Sequence, residues 1–203
     1  RVTNFTSSEL QNFDIGSWFN LKYPKKADSK FSLETIPTLS RFLEFLGDYK
    51  GLLYLELKCK EAELKPLVKA VTDIVRNSKL FSKITIKSFN LEAVAETNRL
   101  LSGVKTAALF APEIMTILNK QSHLIEKAQD CGANELSLHY SLATQKIVES
   151  AENQGLSTII WTADHPVWVK RACEIGLKAV ITNNPQRLLA KRHEFLNKTS
   201  ILI

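Results

Sequence analysis

The chain has 203 residues, 44% of them hydrophobic, and a formal net charge of +6. Its length predicts one domain spanning residues 1–203 around a sizeable core, and no apolar run reaches the roughly 18 residues that an integral membrane segment needs. The lysines are scattered among acidic residues rather than clustered with aromatic ones, which argues against nucleic acid as a partner and suits a phosphate-bearing substrate.

The three cysteines, Cys59, Cys131 and Cys173, are widely separated and lack the paired spacing of a zinc site or a disulfide framework. We expect them to be reduced. Residues 1–8 contain no basic segment followed by an apolar one, so no secretory signal is visible. Both observations favour a cytoplasmic location.

The N-terminal part of the chain shows little periodicity. Residues 1–30 are aromatic and polar without a regular spacing, which predicts an excursion loop. Residues 36–39 then lead into a short amphipathic helix over residues 40–46, which Gly47 ends.

From Gly51 onward, short apolar runs alternate with longer segments of helical period, a pattern typical of parallel strands joined by helices. Gly155 and Gly176 mark helix ends, and Pro185 marks a first helical turn. The predicted strands are residues 52–58, 84–89, 105–110, 135–140, 158–162 and 179–182. The predicted helices are residues 61–77, 91–101, 114–128, 142–154, 166–175 and 185–195.

Six such units fit either an open doubly wound sheet or a closed barrel. With 7 glycines, the chain offers no Gly-rich phosphate loop of the doubly wound kind. A barrel has about 250 residues and eight strands, which favours a (β/α)8 TIM barrel whose first two strands and first helix are absent from this chain. Residues 1–50 would then be an insertion after the missing second strand, and residues 51–203 would supply strands three to eight.

Strand alternation indicates which side chains face the interior of such a barrel, where the carboxyl ends of the strands carry the chemistry. In the first strand the leucines share one face, so Glu56 and Lys58 should point inward with Tyr54. In the second, Lys87 and Phe89 take the inward parity.

The same alternation selects Glu135, Ser137 and His139 in the fourth strand. Alternation alone leaves Trp161 undecided, because both faces of residues 158–162 carry an isoleucine. One end of the barrel would therefore gather a carboxylate, lysines, a histidine and aromatic rings.

These residue types suit phosphoryl chemistry, because a carboxylate is a ligand that magnesium or calcium prefers and a lysine balances phosphate charge. Each also has a plainer interpretation. Glu56 and Lys58 would form an exposed ion pair, His139 would be a structural histidine, and Phe89 and Trp161 would be core residues.

Several segments resemble those of glycerophosphodiester phosphodiesterases, in the order in which that family carries them. LELK at 55–58 is similar to its glutamate-x-lysine strand, and KSFN at 87–90 to its Gln-Ser-Phe-Asp segment. WTAD at 161–164 and ITNNP at 181–185 are similar to its late tryptophan-threonine and threonine-aspartate-x-proline segments. FDIGSWF at 13–19 and IPTL at 36–39 resemble its insertion.

The resemblance implies a TIM barrel that hydrolyses glycerophosphodiesters to glycerol 3-phosphate and an alcohol with a divalent metal, Mg²⁺ or Ca²⁺. Glu56 would be a metal ligand and Lys58 a catalytic phosphate contact. Phe89 and Trp161 would shape the pocket around the glycerol moiety. Lys87 stands where the family usually has glutamine and would add a positive charge near the phosphate. His139 is predicted to bind substrate from its strand position alone.

The chain departs from the family pattern at its start. The family's histidine-arginine-glycine segment, its first metal-binding glutamate and aspartate, and its second histidine are not in this sequence. Those histidines are the expected general acid and base, so we expect the chain alone to be inactive, with the missing N-terminal segment as a partner. A catalytically inactive barrel that serves as a binding or regulatory module remains an alternative, as does a related lysophospholipid-cleaving phosphodiesterase.

Overall fold

The computed structural model describes residues 2–114 and 122–200, with the side chains of 198–200 excepted. Two compact units are present, one comprising Arg1–Tyr49 with Ser78–Leu80 and the other Lys50–Asn77 with Phe81–Ile203. None of the described helices is both long and apolar enough to cross a membrane.

The first unit consists largely of short helices, although residues 1–30 show no regular spacing in the sequence. These helices are too short to display a 3.6-residue period, and local hydrogen bonds start them instead. The Thr6 hydroxyl, for example, accepts a bond from the Glu9 amide while the Glu9 carboxylate accepts one from the Thr6 amide. The α-helices are α1 (Ser7–Leu10), α2 (Ser17–Lys22) and α3 (Leu39–Leu46), and the 3-10 helices are Val2–Asn4, Pro24–Lys26 and Ser29–Leu33.

Close backbone packing fixes the start of α2. A Cβ atom at Gly16 would lie only 1.7 Å from the carbonyl oxygen of Phe31, so glycine is required there. The Asp14 carboxylate accepts hydrogen bonds from the backbone amides of Gly16 and Ser17, each at 2.9 Å. Helix α3 agrees with its prediction, since Thr38 caps its start and Gly47, with φ of 48°, ends it.

The second unit contains a parallel sheet of six strands among the described residues, in the order β1-β2-β3-β4-β5-β6. A doubly wound sheet would reverse its strand order at a switch point. The sequential order confirms the predicted barrel-type architecture instead. The strands are β1 (Leu53–Glu56), β2 (Ile84–Ser88), β3 (Lys105–Phe110), β4 (Glu135–His139), β5 (Ser157–Trp161) and β6 (Ala179–Val180).

The connecting helices agree with the predicted segments apart from their ends. The helix predicted at 142–154 begins later, because Thr144 caps it at Gln145, and the predicted helix at 114–128 falls partly outside the described residues. The segment predicted as helical from residue 61 starts with a 3-10 turn, Glu61–Glu63. The helices are α4 (Leu64–Arg76), α5 (Leu91–Leu100), α6 (Ser122–Asp130), α7 (Gln145–Glu152), α8 (Val167–Glu174) and α9 (Pro185–Ser200).

The outer face of the sheet packs against these helices. Leu136 and Leu138 of β4 are fully buried in a cluster with Leu124 of α6 and Ile147 of α7. Ile160 of β5 packs with Trp168 of α8. Alternation therefore turns Trp161 to the opposite, inner face and resolves the orientation that sequence alone left open.

The sheet curves toward that inner face. Strands β1 and β4 are three apart in the sheet, which in a flat sheet would separate them by about 14 Å with their side chains parallel. In the structure the Tyr54 hydroxyl of β1 donates a 3.0 Å hydrogen bond to the Glu135 carboxylate of β4. Such a contact across the sheet requires the curvature of a barrel wall.

Candidate active site

An ionic group, which we define as Glu56, Lys58 and Lys87, lies at the carboxyl ends of β1 and β2. Strand β1 ends at Glu56 rather than continuing to Lys58 as predicted, so alternation does not orient Lys58. The Lys58 ammonium lies 3.6 Å from the Glu56 carboxylate, and its side chain is 79% exposed. At that exposure the pair stabilises the fold little, which leaves both charges available to a ligand.

Lys87 is the buried member of this group. It is the register partner of Glu56 across the β1–β2 pair and is only 7% exposed. Burial lowers the pKa of Lys87 from its ordinary value, the Glu56 carboxylate opposes that shift, and the Lys58 ammonium adds to it. The ammonium lies 5.8 Å from the centre of the Tyr54 ring, within the range of a cation–π contact.

An aromatic group, which we define as Phe89, His139 and Trp161, lies at the carboxyl ends of β2, β4 and β5. The Trp161 ring is perpendicular to the Phe89 ring at 5.4 Å between centroids, and it meets the His139 ring at 5.2 Å. The Trp161 indole nitrogen also donates a 3.2 Å hydrogen bond to the Ser137 carbonyl oxygen. Edge-to-face contacts and this bond hold the indole in one orientation.

The His139 ring has its own local partner. Its Nδ1 atom lies 2.7 Å from the Ser141 hydroxyl and accepts a bond from the Ser141 amide at 3.3 Å. An accepting Nδ1 leaves Nε2 as the protonated nitrogen of a neutral ring. His139 is thus presented with Nε2 as a hydrogen-bond donor.

The ionic and aromatic groups meet where β2 ends. Phe89 directly follows Ser88, the last residue of β2, rather than lying in the strand as predicted, so alternation does not orient its ring. Lys87 and Phe89 are two residues apart in the sequence, a spacing of at most about 7 Å. The ionic group therefore lies beside one end of the aromatic group. This end of the sheet combines positive charge, one carboxylate and ring faces.

Sequence reasoning missed a buried polar network beneath these groups. Glu135 is only 1% exposed. Its carboxylate accepts a hydrogen bond from the Tyr54 hydroxyl and forms an ion pair with the Lys178 ammonium. Burial and the neighbouring Glu135 carboxylate raise the pKa of Tyr54, so its hydroxyl stays protonated. Alternation marked Glu135 as inward, but nothing in the sequence pairs it with Lys178, which precedes β6.

Asp164 was also missed as an organising residue, although its segment carried part of the resemblance. Its carboxylate accepts hydrogen bonds from the Thr182 hydroxyl and the Asn183 amide, both at 2.7 Å. These bonds lower the pKa of Asp164 from its ordinary value. Asp164 thereby ties the segment after β5 to the segment after β6.

The donors for a metal ion are few. Glu56 supplies a hard oxygen ligand, but the described residues contain no group of three histidine, cysteine or acidic side chains that could hold a metal. Magnesium and calcium take six or more ligands. The described residues therefore do not by themselves fit a tight divalent-metal site.

Comparison with known proteins identifies the family. The sequence model of the glycerophosphoryl diester phosphodiesterase family matches residues 1–187. A glycerophosphodiester phosphodiesterase of Bacillus subtilis is 25% identical over 190 residues, which cover 91% of this chain and 63% of the relative. One from Caldanaerobacter subterraneus is 24% identical over 191 residues, which cover 93% of this chain and 71% of the relative. The chain thus spans less than two thirds of the Bacillus relative.

Solved structures show the same fold. A structure from Silicibacter pomeroyi matches with a TM-score of 0.80 at 22% identity, covering 96% of this chain and 70% of that one. An Oleispira antarctica phosphodiesterase, solved with its product sn-glycerol-3-phosphate, matches with a TM-score of 0.76 at 21% identity over 94% of this chain and 71% of that one.

Proposed function

This chain belongs to the glycerophosphoryl diester phosphodiesterase family, and from that premise we propose that it forms the later-strand part of an enzyme that hydrolyses glycerophosphodiesters to glycerol 3-phosphate and an alcohol. The observation that carries the proposal is the ionic group lying beside the aromatic group at the carboxyl ends of β1, β2, β4 and β5. Barrel enzymes build their active sites at that end of the strands.

The ionic group would bind the phosphodiester. Lys58 is exposed, so its side chain can move to contact the phosphate. Lys87 is buried and offers a charge in a fixed position. Both charges would offset the negative charge that builds up as phosphorus is attacked. Glu56, 3.6 Å from Lys58, carries the same sign of charge as the phosphate and would act on it only through a cation that both bind.

The aromatic group would hold the glycerol moiety. Phe89 is 46% exposed, so its ring meets solvent and can contact the carbon chain of a substrate. Trp161 is fixed behind it, and the His139 Nε2 can donate to a glycerol hydroxyl. These contacts would orient the diester so that its phosphate meets the ionic group.

We propose Glu56 as one ligand of a divalent metal, Mg²⁺ or Ca²⁺, which would polarise the phosphate when bound. The remaining ligands, and the general acid and base, would come from residues that correspond to the rest of the relatives' length. The activity is therefore proposed for the protein in which such residues accompany this chain.

Release of glycerol 3-phosphate from glycerophosphocholine tests the function. The assay compares the chain alone with a longer protein in which this chain is extended to the full length of its relatives, each in the presence of Mg²⁺, of Ca²⁺ and of EDTA. We expect metal-dependent release by the longer protein and at most slow release by the chain alone. A longer protein that is folded but releases none would contradict the proposal, and faster cleavage of lysophosphatidylcholine would favour the lysophospholipid alternative.

A further inference from the structure

The buried carboxylate of Glu135 joins three separate parts of the second unit. One partner, Tyr54, lies on β1, and the other, Lys178, precedes β6. The carboxylate is enclosed, whereas the Lys178 side chain is 26% exposed. A buried carboxylate needs partners of this kind, because an unpaired charge in the interior is costly.

The network reaches the ionic group through the Tyr54 ring. Tyr54 precedes Glu56 by two residues on β1 and takes the same parity. The Lys87 ammonium lies 5.8 Å from the centre of its ring. The hydroxyl bond to Glu135 therefore fixes the ring surface against which this cation rests.

Hydrogen bonding also changes the ring electronically. A phenol that donates a hydrogen bond to a carboxylate gains electron density in its ring, since linked polar groups polarise one another. A ring richer in electrons attracts a cation more strongly. Glu135 thus acts on Lys87 through both the position and the charge distribution of Tyr54.

We propose that Tyr54, Glu135 and Lys178 form a positioning network that holds the Lys87 ammonium toward the phosphate subsite. The inference rests on the proposed role of Lys87 in binding phosphate. None of the three network residues needs to touch the substrate.

Binding of inorganic phosphate to the full chain, measured by calorimetry, tests the network separately from hydrolysis. Tyr54→Phe keeps the ring and loses the bond to Glu135, and Tyr54→Leu loses both. We expect about twofold weaker binding for the first and about fivefold for the second, the range of a single cation–π contact or hydrogen bond and no more than the loss expected when Lys87 itself is replaced.

A double-mutant cycle with Lys87→Gln separates positioning from a general structural effect. In the Lys87→Gln background, we expect neither Tyr54 substitution to weaken phosphate binding further. Equal weakening in both backgrounds would overturn the proposal, as would wild-type affinity in Tyr54→Phe and Tyr54→Leu or no phosphate binding by the unsubstituted chain.

Folding is checked by circular dichroism. If Tyr54→Leu fails to fold, the double-mutant cycle uses Tyr54→Phe alone, because that substitution preserves the ring volume. Glu96→Gln, which removes a partly buried carboxylate paired with the exposed Arg99 on α5, is the control and should leave phosphate affinity unchanged. The chain alone can fail to hydrolyse the substrate because it lacks a general acid and base, while the double-mutant cycle on phosphate binding still gives the expected result. The two proposals are therefore tested independently.

Discussion

The ionic and aromatic groups share one end of the sheet but are held differently. The ionic group has a 3.6 Å ion pair with a highly exposed lysine, whereas the aromatic group is fixed by ring contacts and an indole hydrogen bond. Charges that are weakly engaged with one another can rearrange around a phosphate and a metal. Rings that are already fixed lose little entropy when they bind a substrate. We infer that the ionic group binds the phosphate and the aromatic group selects the substrate.

The largest effect should come from Glu56→Gln in the active protein. It removes the carboxylate proposed as a metal ligand while keeping the side-chain volume, and we expect about a 100-fold loss of activity together with weaker metal dependence. Activity titrated against Mg²⁺ and Ca²⁺ is the measurement. Glu96→Gln, which removes the partner of Arg99 on α5, is the control. Wild-type activity and metal affinity in Glu56→Gln would remove the ionic group from the mechanism.

The aromatic group should respond differently. Trp161→Ala is expected to lower kcat/KM about tenfold for glycerophosphodiesters, about the loss of a well-packed ring contact, and to do so unequally among substrates with different alcohols. Relative kcat/KM values across several glycerophosphodiesters measure the effect.

Trp168→Ala is the matched control, because Trp168 is buried against Ile160 on the opposite face of the sheet. It should lower the free energy of unfolding by about 3–5 kcal/mol without changing substrate preference. If Trp161→Ala behaves in the same way, Trp161 is a core residue and not part of a substrate pocket.

The fold was accessible from sequence because the leucines and isoleucines that meet the helices recur at every second position in β1, β2 and β4. The ionic group followed from the same alternation, although β1 stops before Lys58. Trp161 could not be oriented, because only the packing of Ile160 against Trp168 distinguishes the two faces of β5. The Glu135 network joins residues separated by 81 and 43 positions, and no local pattern encodes such pairs.

A smaller effect is expected at Lys87, where the family usually has glutamine. Lys87→Gln should weaken inorganic phosphate binding about fivefold, the scale of one partly desolvated charge contact. The free energy of unfolding should not fall, because the substitution removes a cation whose ionised form burial disfavours. Calorimetry and urea unfolding measure the two quantities. A large loss of stability would indicate that Lys87 is structural. Unchanged phosphate binding would show that Lys87 does not bind the phosphate.

The smallest effect concerns Asp164, which supports the site from the segments after β5 and β6. Its pKa in the folded state lies below the unfolded value of about 3.9, so its contribution to stability is present above that pH and is lost as the pH falls through the folded value. Asp164→Asn should therefore unfold at slightly lower urea concentration than wild type at pH 7, and the two midpoints should converge as the pH falls below about 4. Asp73→Asn, which removes the partner of Lys69 on the exposed side of α4, should shift the midpoint little at any pH. A midpoint difference for Asp164→Asn that stays constant as the pH falls would mean that the carboxylate charge is not what ties the two segments together.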